Sequence, residues 1–276
     1  MKSLLQGIAA VAMAAGLAGC QTVQTTHTGV VGIERKQTML VSSAEVNQAA
    51  VQEYAKVIAQ ARKQGKLNRD PAQVRRVKAI VGRLIPQTRA FRPDAPGWQW
   101  ETNVISDSQL NAWCMPGGKI VVYTGLIDKL RLSDAELAAI LGHEMGHALR
   151  EHGREQVSRQ VETQVVLGVA SAALGLGEVG SKLASTVADV TFNLPNSRTD
   201  EVEADRIGVE LAARAGYDPH AAVSVWQKML QTDGNGPPQF LSTHPAPANR
   251  LRDLQVYANR VMPLYDAARR RLPQAE

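Results

Sequence analysis

The strongest chemical signal in this chain is a run of five residues, His143-Glu144-Met145-Gly146-His147. Residues four apart share one face of a helix, so both imidazoles can bind a single ion. Glu144 then lies beside that ion as a candidate general base. The pattern is typical of zinc hydrolases, and the competing interpretation is a helix that merely contains two histidines.

The pattern has this meaning only on a helix, and the flanking residues predict one. Ser133 and Glu136 form a capping-box pair, and apolar residues keep helical spacing through residues 137–149 without a proline. Gly142 and Gly146 lie four residues apart, and each weakens the helix relative to alanine. Their spacing predicts a flat strip on which a second backbone approaches closely.

A catalytic zinc site needs a third protein ligand, because two histidines leave it one short. One class of zinc proteases extends the same helix to a further glycine and histidine, but this chain has Arg150 and Gly153 at those positions. His152 lies five residues after His147, and we expect it to point away from the metal as a solvated residue at the helix end. The remaining option is a glutamate from a later helix.

Residues 199–216 predict that later helix. Glu201 and Asp205 are four residues apart on it, so Glu201 can ligate zinc while Asp205 hydrogen-bonds a ligand imidazole. Gly208 lies one turn further along the same face, which suits packing on the glycine strip of the first helix. Glu203 is the competing ligand, and its direction differs from that of Glu201 by about 200 degrees.

Three motifs in order, HEMGH, SRTDEVEADRIG and STHPAPANRL, extend the comparison over residues 78–261. Together they resemble the zinc metallopeptidase family that includes the CAAX prenyl proteases, and its soluble bacterial periplasmic members in particular. The resemblance implies a single Zn²⁺ ion per chain, with His143, His147 and Glu201 as ligands. It also implies Asp205 behind the ligands and Glu144 as the base that activates water.

The third motif contains His244, between Thr243 and Pro245, and helical spacing does not connect it to the other two motifs. The prolines at positions 245 and 247 bar a helix until after the second of them. From the residues alone, His244 is an exposed loop histidine ahead of a helix. The resemblance implies instead that it enters the active-site cleft, where it stabilises the oxyanion or occupies the open zinc position at rest.

The expected fold class is α+β, mainly α-helical, with a zincin-like metallopeptidase domain and a small mixed β-sheet next to the zinc helix. Helices are predicted over residues 43–64 and 70–84, and strands over residues 98–106 and 119–126. In gluzincin-like sites an edge strand holds the substrate backbone by strand addition. An ordinary internal strand is the alternative. The candidate substrate-binding residues are Gly118, Lys119, Ile120, Val121, Val122 and Tyr123.

The amino terminus predicts a lipoprotein. Lys2 precedes a short apolar run over residues 4–17, and Leu17-Ala18-Gly19-Cys20 resembles a lipoprotein cleavage box. Residues 1–19 are therefore a predicted signal peptide, with lipidation at Cys20. The run is shorter than the ~20 residues of a membrane-spanning helix. Gln21 in place of aspartate implies, by analogy with Gram-negative sorting, the periplasmic side of the outer membrane.

The rest of the chain is divided into a lipidated extended tether (residues 20–41), an N-terminal helical segment (42–77), the metallopeptidase domain (78–262) and a C-terminal tail (263–276). The net charge of +5 is spread out, so we expect no nucleic-acid partner. Cys114 has no intrachain partner once Cys20 is lipidated, and we predict a partly buried thiol without a chemical role. Residues 165–177 are apolar and uncharged, and they predict a core helix, a mobile cover of the cleft or a membrane contact.

The resulting prediction is a zinc endopeptidase anchored by lipid to the outer membrane. By resemblance, its substrates are misfolded or stalled envelope proteins, and the outer-membrane assembly machinery is a candidate partner. The alternative function is an assembly chaperone with a latent zinc site. Glu144 favours the enzyme, because a purely structural zinc site has no use for a free carboxylate beside it.

Overall fold

The computed structural model describes residues 21–166, 176–231, 239–245 and 248–271. In these residues the fold is mainly helical with two small sheets, which confirms the expected α+β class. The strands are β1 (Gln21–Val23), β2 (Gln37–Met39), β3 (Glu101–Ile105), β4 (Ala112–Met115) and β5 (Lys119–Tyr123). The helices are α1 (Ser43–Lys63), α2 (Pro71–Leu84), α3 (Thr124–Lys129), α4 (Asp134–Leu149), α5 (His152–Val166), α6 (Leu176–Phe192), α7 (Arg198–Arg214), α8 (Ala221–Leu230), α9 (Gln239–Thr243) and α10 (Arg250–Arg271).

Helices α4 and α7 form the centre of the molecule, and glycines set how closely they pack. A Cβ placed on Gly142 would lie 2.8 Å from the carbonyl oxygen of Gly208, and one on Gly208 would lie 2.6 Å from the backbone nitrogen of His143. Neither contact leaves room for a methyl group. The expected approach of the two helices along the glycine strip is therefore confirmed, and it brings the two ligand-bearing faces together.

The main sheet has the strand order β3-β5-β4, with β3 parallel and β4 antiparallel to β5. Strand β5 is thus internal, and the prediction that residues 118–123 form an edge strand is wrong. Strand β4, which the sequence pattern did not indicate, forms the edge that packs on α4. Edge or internal position depends on which strands pair, and the apolar pattern of a strand does not encode its partners.

Residues 21–41, here called the N-terminal strap, are not the extended tether that the sequence suggested. Strands β1 and β2 pair in an antiparallel ladder, and Val31, Ile33 and Met39 are buried. The strap is tied to the body by hydrogen bonds from the backbone N–H groups of Val30 and Val31 to the Glu210 carboxylate. It is an integral part of the fold.

Two predicted boundaries also differ from the structure. Residues 77 and 78 both lie in α2, and α10 continues through Pro263 to Arg271, so neither boundary separates structural units. The predicted signal peptide, Cys20 and residues 167–175 of the predicted cover lie outside the described residues. Within the described parts of the chain, no helix combines the length and apolarity needed to cross a bilayer.

Candidate metal centre

Helices α4 and α7 bring two histidines and a glutamate to one point. The Nε2 atoms of His143 and His147 lie 3.1 Å apart. On the facing helix, Glu201 Oε1 lies 3.3 Å from His147 Nε2, and its Oε2 lies 3.6 Å from His143 Nε2. All three side chains are buried. The competing glutamate, Glu203, points away from this cluster, so α7 presents Glu201 to the histidines.

The hydrogen bond between His143 and Asp205 shows which ring nitrogen of His143 carries the proton. Its Nδ1 lies 2.9 Å from Oδ1 of Asp205, and a carboxylate can only accept, so Nδ1–H is the donor. Arg250 also donates to Asp205, at 2.7 Å. The Nε2 atom of His143 therefore carries a lone pair directed at the cluster. Burial lowers the pKa of this histidine to about 3, which keeps the ring neutral and able to bind a metal.

The donor set fits a divalent metal ion. Within the described residues, ligand atoms of His143, His147, Glu201 and His244 all lie within 4.8 Å of one another. Oε2 of Glu201 is fully buried, and it lies 3.1 Å from a guanidinium nitrogen of Arg250 in an ion pair without hydrogen-bond geometry. Two imidazole nitrogens 3.1 Å apart beside a buried carboxylate form a concentrated set of electron-pair donors, which a bound cation stabilises. Imidazole nitrogen and carboxylate oxygen suit zinc, which prefers such ligands in tetrahedral sites.

Glu144 lies beside the cluster with its carboxylate held by backbone. It is buried, and its carboxylate accepts a hydrogen bond from the N–H of Cys114 on β4. Oε1 of Glu144 has no hydrogen-bond partner in the described part of the chain and lies 3.5 Å from His244 Nε2. Burial raises its pKa above 4.5, which makes this carboxylate a stronger base than an exposed glutamate.

His244 is inside the site, and the alternative of an exposed loop histidine is wrong. It follows the short helix α9, is 5% exposed, and its ring stacks on Phe240 at 4.4 Å between centroids. Its Nδ1 lies 3.0 Å from Oε1 of Glu201 and 3.3 Å from Nε2 of His143. Burial opposes charge on this ring, but Glu201 and Glu144 together outweigh burial and raise its pKa.

His152 is a residue that the sequence interpretation missed. It is 1% exposed rather than solvated, and its Nδ1 lies 2.9 Å from Nδ1 of His147. The reason is the backbone: α4 ends at Leu149, and Glu151 adopts a left-handed φ of 53° that redirects the chain before α5 begins. This turn has no local sequence signal, because such a residue is usually glycine or asparagine.

A cleft opens beside the cluster, between β4 and α6. Its lining includes Trp113, Cys114, Pro116, Glu144, His147, Val190 and His244. The Cys114 thiol is free and buried, and burial raises its pKa well above the usual value of 9.0, so it stays protonated. The thiol therefore adds apolar surface to the cleft, which agrees with the expectation that it has no chemical role.

Comparison with known proteins identifies the family. The model of peptidase family M48 matches residues 71–258, about two thirds of the chain. This chain belongs to peptidase family M48. The matched span contains the metal cluster and its helices, and it begins at the first residue of α2. The prediction of a metallopeptidase is confirmed at the level of the family.

Named relatives of this M48 chain come from both mitochondria and bacteria. The mitochondrial metalloendopeptidase OMA1 of Arabidopsis thaliana is 41% identical over 157 residues, covering 56% of this chain and 31% of that protein. The OMA1 of Bos taurus is 35% identical, covering 64% and 36% respectively. The beta-barrel assembly-enhancing protease of Escherichia coli K12 is 28% identical, covering 75% and 43%. The chain thus spans less than half the length of these relatives. Because mitochondrial and bacterial relatives both match, the comparison shows family M48 but does not assign the chain to either group of relatives.

Proposed function

We propose that this M48 peptidase is a zinc-dependent endopeptidase in which His143, His147 and Glu201 hold the metal. The observation that carries the proposal is the convergence of two imidazole Nε2 atoms, 3.1 Å apart, on the buried carboxylate of Glu201. Bound there, a zinc ion supplies Lewis-acid activation of water and of the substrate carbonyl.

Glu144 is the proposed general base. Its carboxylate accepts the proton of the attacking water and then transfers that proton to the leaving amine. The N–H of Cys114 orients the carboxylate, and burial raises its pKa toward the range useful for a base. No other described carboxylate lies beside the metal cluster without serving as a proposed ligand or supporting one.

His244 has two proposed positions. In the resting state its Nδ1 stays in the ligand cluster, within 3.3 Å of His143 Nε2, so it fills the coordination position that substrate needs. When substrate enters, His244 moves aside and donates a hydrogen bond to the oxyanion. Its Nε2 lies 3.5 Å from Oε1 of Glu144, so this donor is next to the proposed base.

Substrate is proposed to bind along β4. Among the described strands, β4 pairs only with β5, and Trp113 and Cys114 of β4 line the cleft. An extended peptide could add to this edge with its scissile bond next to Glu144. Residues 118–123 would then support β4 from behind rather than contact substrate directly.

The proposed setting is the bacterial envelope. Lipidation at Cys20 would anchor the enzyme to the periplasmic side of the outer membrane, and its substrates would be misfolded or stalled envelope proteins. The bacterial relatives named beta-barrel assembly-enhancing proteases support this setting. They also support the outer-membrane assembly machinery as a partner. Because other relatives are mitochondrial, the proposed localisation depends on the lipoprotein motif that ends at Cys20.

The decisive experiment replaces Glu144 by glutamine. We expect Glu144→Gln to retain one zinc ion per chain, measured by metal analysis, and to lose cleavage of casein by several orders of magnitude. Glu53→Gln, which removes an exposed Glu53–Lys56 ion pair on α1, is the matched control and should cleave as the wild type does. Cleavage at the wild-type rate by Glu144→Gln would refute the proposed mechanism.

The closed position of His244 keeps the second candidate function, an assembly chaperone with a latent zinc site, open to test. A null strain complemented with Glu144→Gln separates the two. An endopeptidase role predicts that the variant fails to restore envelope integrity. Restoration to the wild-type level would show that the function in the cell does not need peptide-bond cleavage.

A further inference from the structure

The N-terminal strap reaches into a buried charge cluster behind the metal centre. Arg35 of the strap makes ion pairs with three carboxylates, at 2.6 Å to Glu155, 2.9 Å to Glu203 and 3.0 Å to Asp200. All three carboxylates are buried. Arg150, which is fully buried, also donates to Glu203 at 3.0 Å and to the backbone carbonyl of Arg35 at 2.9 Å.

The cluster is continuous with a proposed zinc ligand. Oε2 of Glu203 lies 3.0 Å from Nε2 of His152, and Nδ1 of His152 lies 2.9 Å from Nδ1 of His147. The chain of contacts therefore runs from Arg35 to Glu203, His152 and His147. Its members come from the strap, α7, α5 and α4, so it joins four separate segments at the metal centre.

The direction of each hydrogen bond in this series of contacts follows from the Glu203 carboxylate at its end. Glu203 can only accept, so His152 donates from Nε2 and has a lone pair on Nδ1. His147 must then donate from Nδ1 to His152, which leaves the Nε2 lone pair of His147 facing Glu201 and His143. This is the tautomer that a zinc ligand needs, and an outer partner that sets it raises the affinity for the metal.

The same cluster does not form a second metal site. His152, Asp200 and Glu203 have ligand atoms close enough to hold an ion. However, the carboxylates of Glu155, Asp200 and Glu203 are matched by the guanidinium groups of Arg35, Arg150 and Arg159. A divalent cation would have to displace arginines whose charges already compensate these buried carboxylates.

We propose that the N-terminal strap is a positioning element of the metal centre, in which Arg35 holds Glu203, Glu203 holds His152, and His152 orients His147 for zinc. The inference rests on the proposed zinc site and adds three positioning residues that do not touch the metal. It also gives the strap a function: seating the strap completes the support of one ligand.

The test measures the zinc dissociation constant of the full chain by chelator competition. His152→Phe keeps the ring shape but removes the acceptor, and we expect zinc affinity to fall roughly 10–100-fold. Arg35→Gln acts two contacts further away, and we expect a loss of roughly threefold to tenfold, at or below the low end of that range. The melting temperature of the metal-free protein is measured alongside for each variant. Cobalt(II) substitution adds a spectroscopic readout, since a reoriented His147 shifts the visible absorption.

Glu210→Gln is the matched control, because Glu210 also ties the strap down, through the N–H groups of Val30 and Val31, but contacts neither Glu203 nor His152. It should bind zinc as the wild type does. A folded His152→Phe with wild-type zinc affinity overturns the proposal, as does equal loss in Arg35→Gln and Glu210→Gln. If Arg35→Gln does not fold, His152→Phe decides. A wild-type chain that binds no zinc would refute the proposed function, and this inference with it.

Discussion

The two histidines of α4 sit four residues apart on one helix, yet they are oriented by different means. His143 donates directly to the carboxylate of Asp205, which Arg250 of α10 neutralises. His147 instead meets a second imidazole, His152, and only then the carboxylate of Glu203. Equal spacing along a helix therefore does not imply equal support, because each ring is fixed by whichever segments pack against it.

The two supports also differ in how many parts of the fold they require. The His143 support needs α7 and α10 alone, and Arg250 additionally packs its guanidinium over the Trp226 ring, 3.3 Å from the centroid. The His147 support requires α7, the turn at Glu151 that leads into α5, and the seated strap. In the first support a carboxylate contacts the ligand imidazole directly. In the second support an imidazole stands between the ligand and the carboxylate, and more segments take part.

The largest expected effect is on zinc affinity, when the carboxylate of each support is replaced by an amide. Asp205→Asn should lower zinc affinity roughly 100-fold, since it removes a negative charge in direct contact with a ligand. Glu203→Gln should lower it by roughly tenfold, because an imidazole stands between that carboxylate and the ligand. Chelator competition measures both, with the metal-free melting temperature as the control for folding. Equal losses would show that the two supports are equivalent.

A second prediction concerns the helix contact that both supports share. Gly208→Ala should destabilise the protein by about 1–3 kcal/mol, since the new methyl group would meet the backbone of α4 beside His143. Gly146 is less crowded: a Cβ there lies 3.0 Å from the carbonyl oxygen of Ala204. Gly146→Ala should therefore cost less. Urea unfolding measures both, and a larger cost at Gly146 would contradict this ranking.

A third prediction uses acid to probe the His147 support. Burial alone would raise the pKa of Glu203, but His152, Arg35 and Arg150 outweigh it and hold the pKa well below 4.5. The stability from this carboxylate is therefore complete above its unfolded pKa and is lost as pH falls below that value. Arg35→Gln weakens the effect, so its acid-unfolding midpoint should move to higher pH. Lys56→Gln, at an exposed pair, should leave the midpoint unchanged.

The smallest expected effect is on a helix that takes no part in either support. Gly82 lies near the end of α2, and a Cβ added there meets no atom within 4 Å. Gly82→Ala should stabilise the protein by up to about 1 kcal/mol through helix propensity, without a change in zinc affinity. A destabilising result in urea unfolding would show that glycine is needed there for another reason.

Sequence reasoning succeeded where the determinants are local. The capping boxes at Ser133 and Ser42 and the Asp70-Pro71 start mark the beginnings of α4, α1 and α2 in the structure. It failed at β4 and the strap, whose strands have only three or four residues and whose positions depend on partners far along the chain. Short strands of this kind carry too few residues for a reliable period-2 pattern.

The sequence by itself determined that two imidazoles share a helix face with a carboxylate beside them, because helical spacing depends only on neighbouring residues. It also predicted α7 as the source of the next ligand, and the match to peptidase family M48 shows the broader class, a metallopeptidase. Only the tertiary structure decided that His152 turns inward, that His244 is buried, and that β5 is internal. These outcomes depend on contacts such as Arg35 with Glu203, 168 residues apart, which exist only when the whole chain has packed.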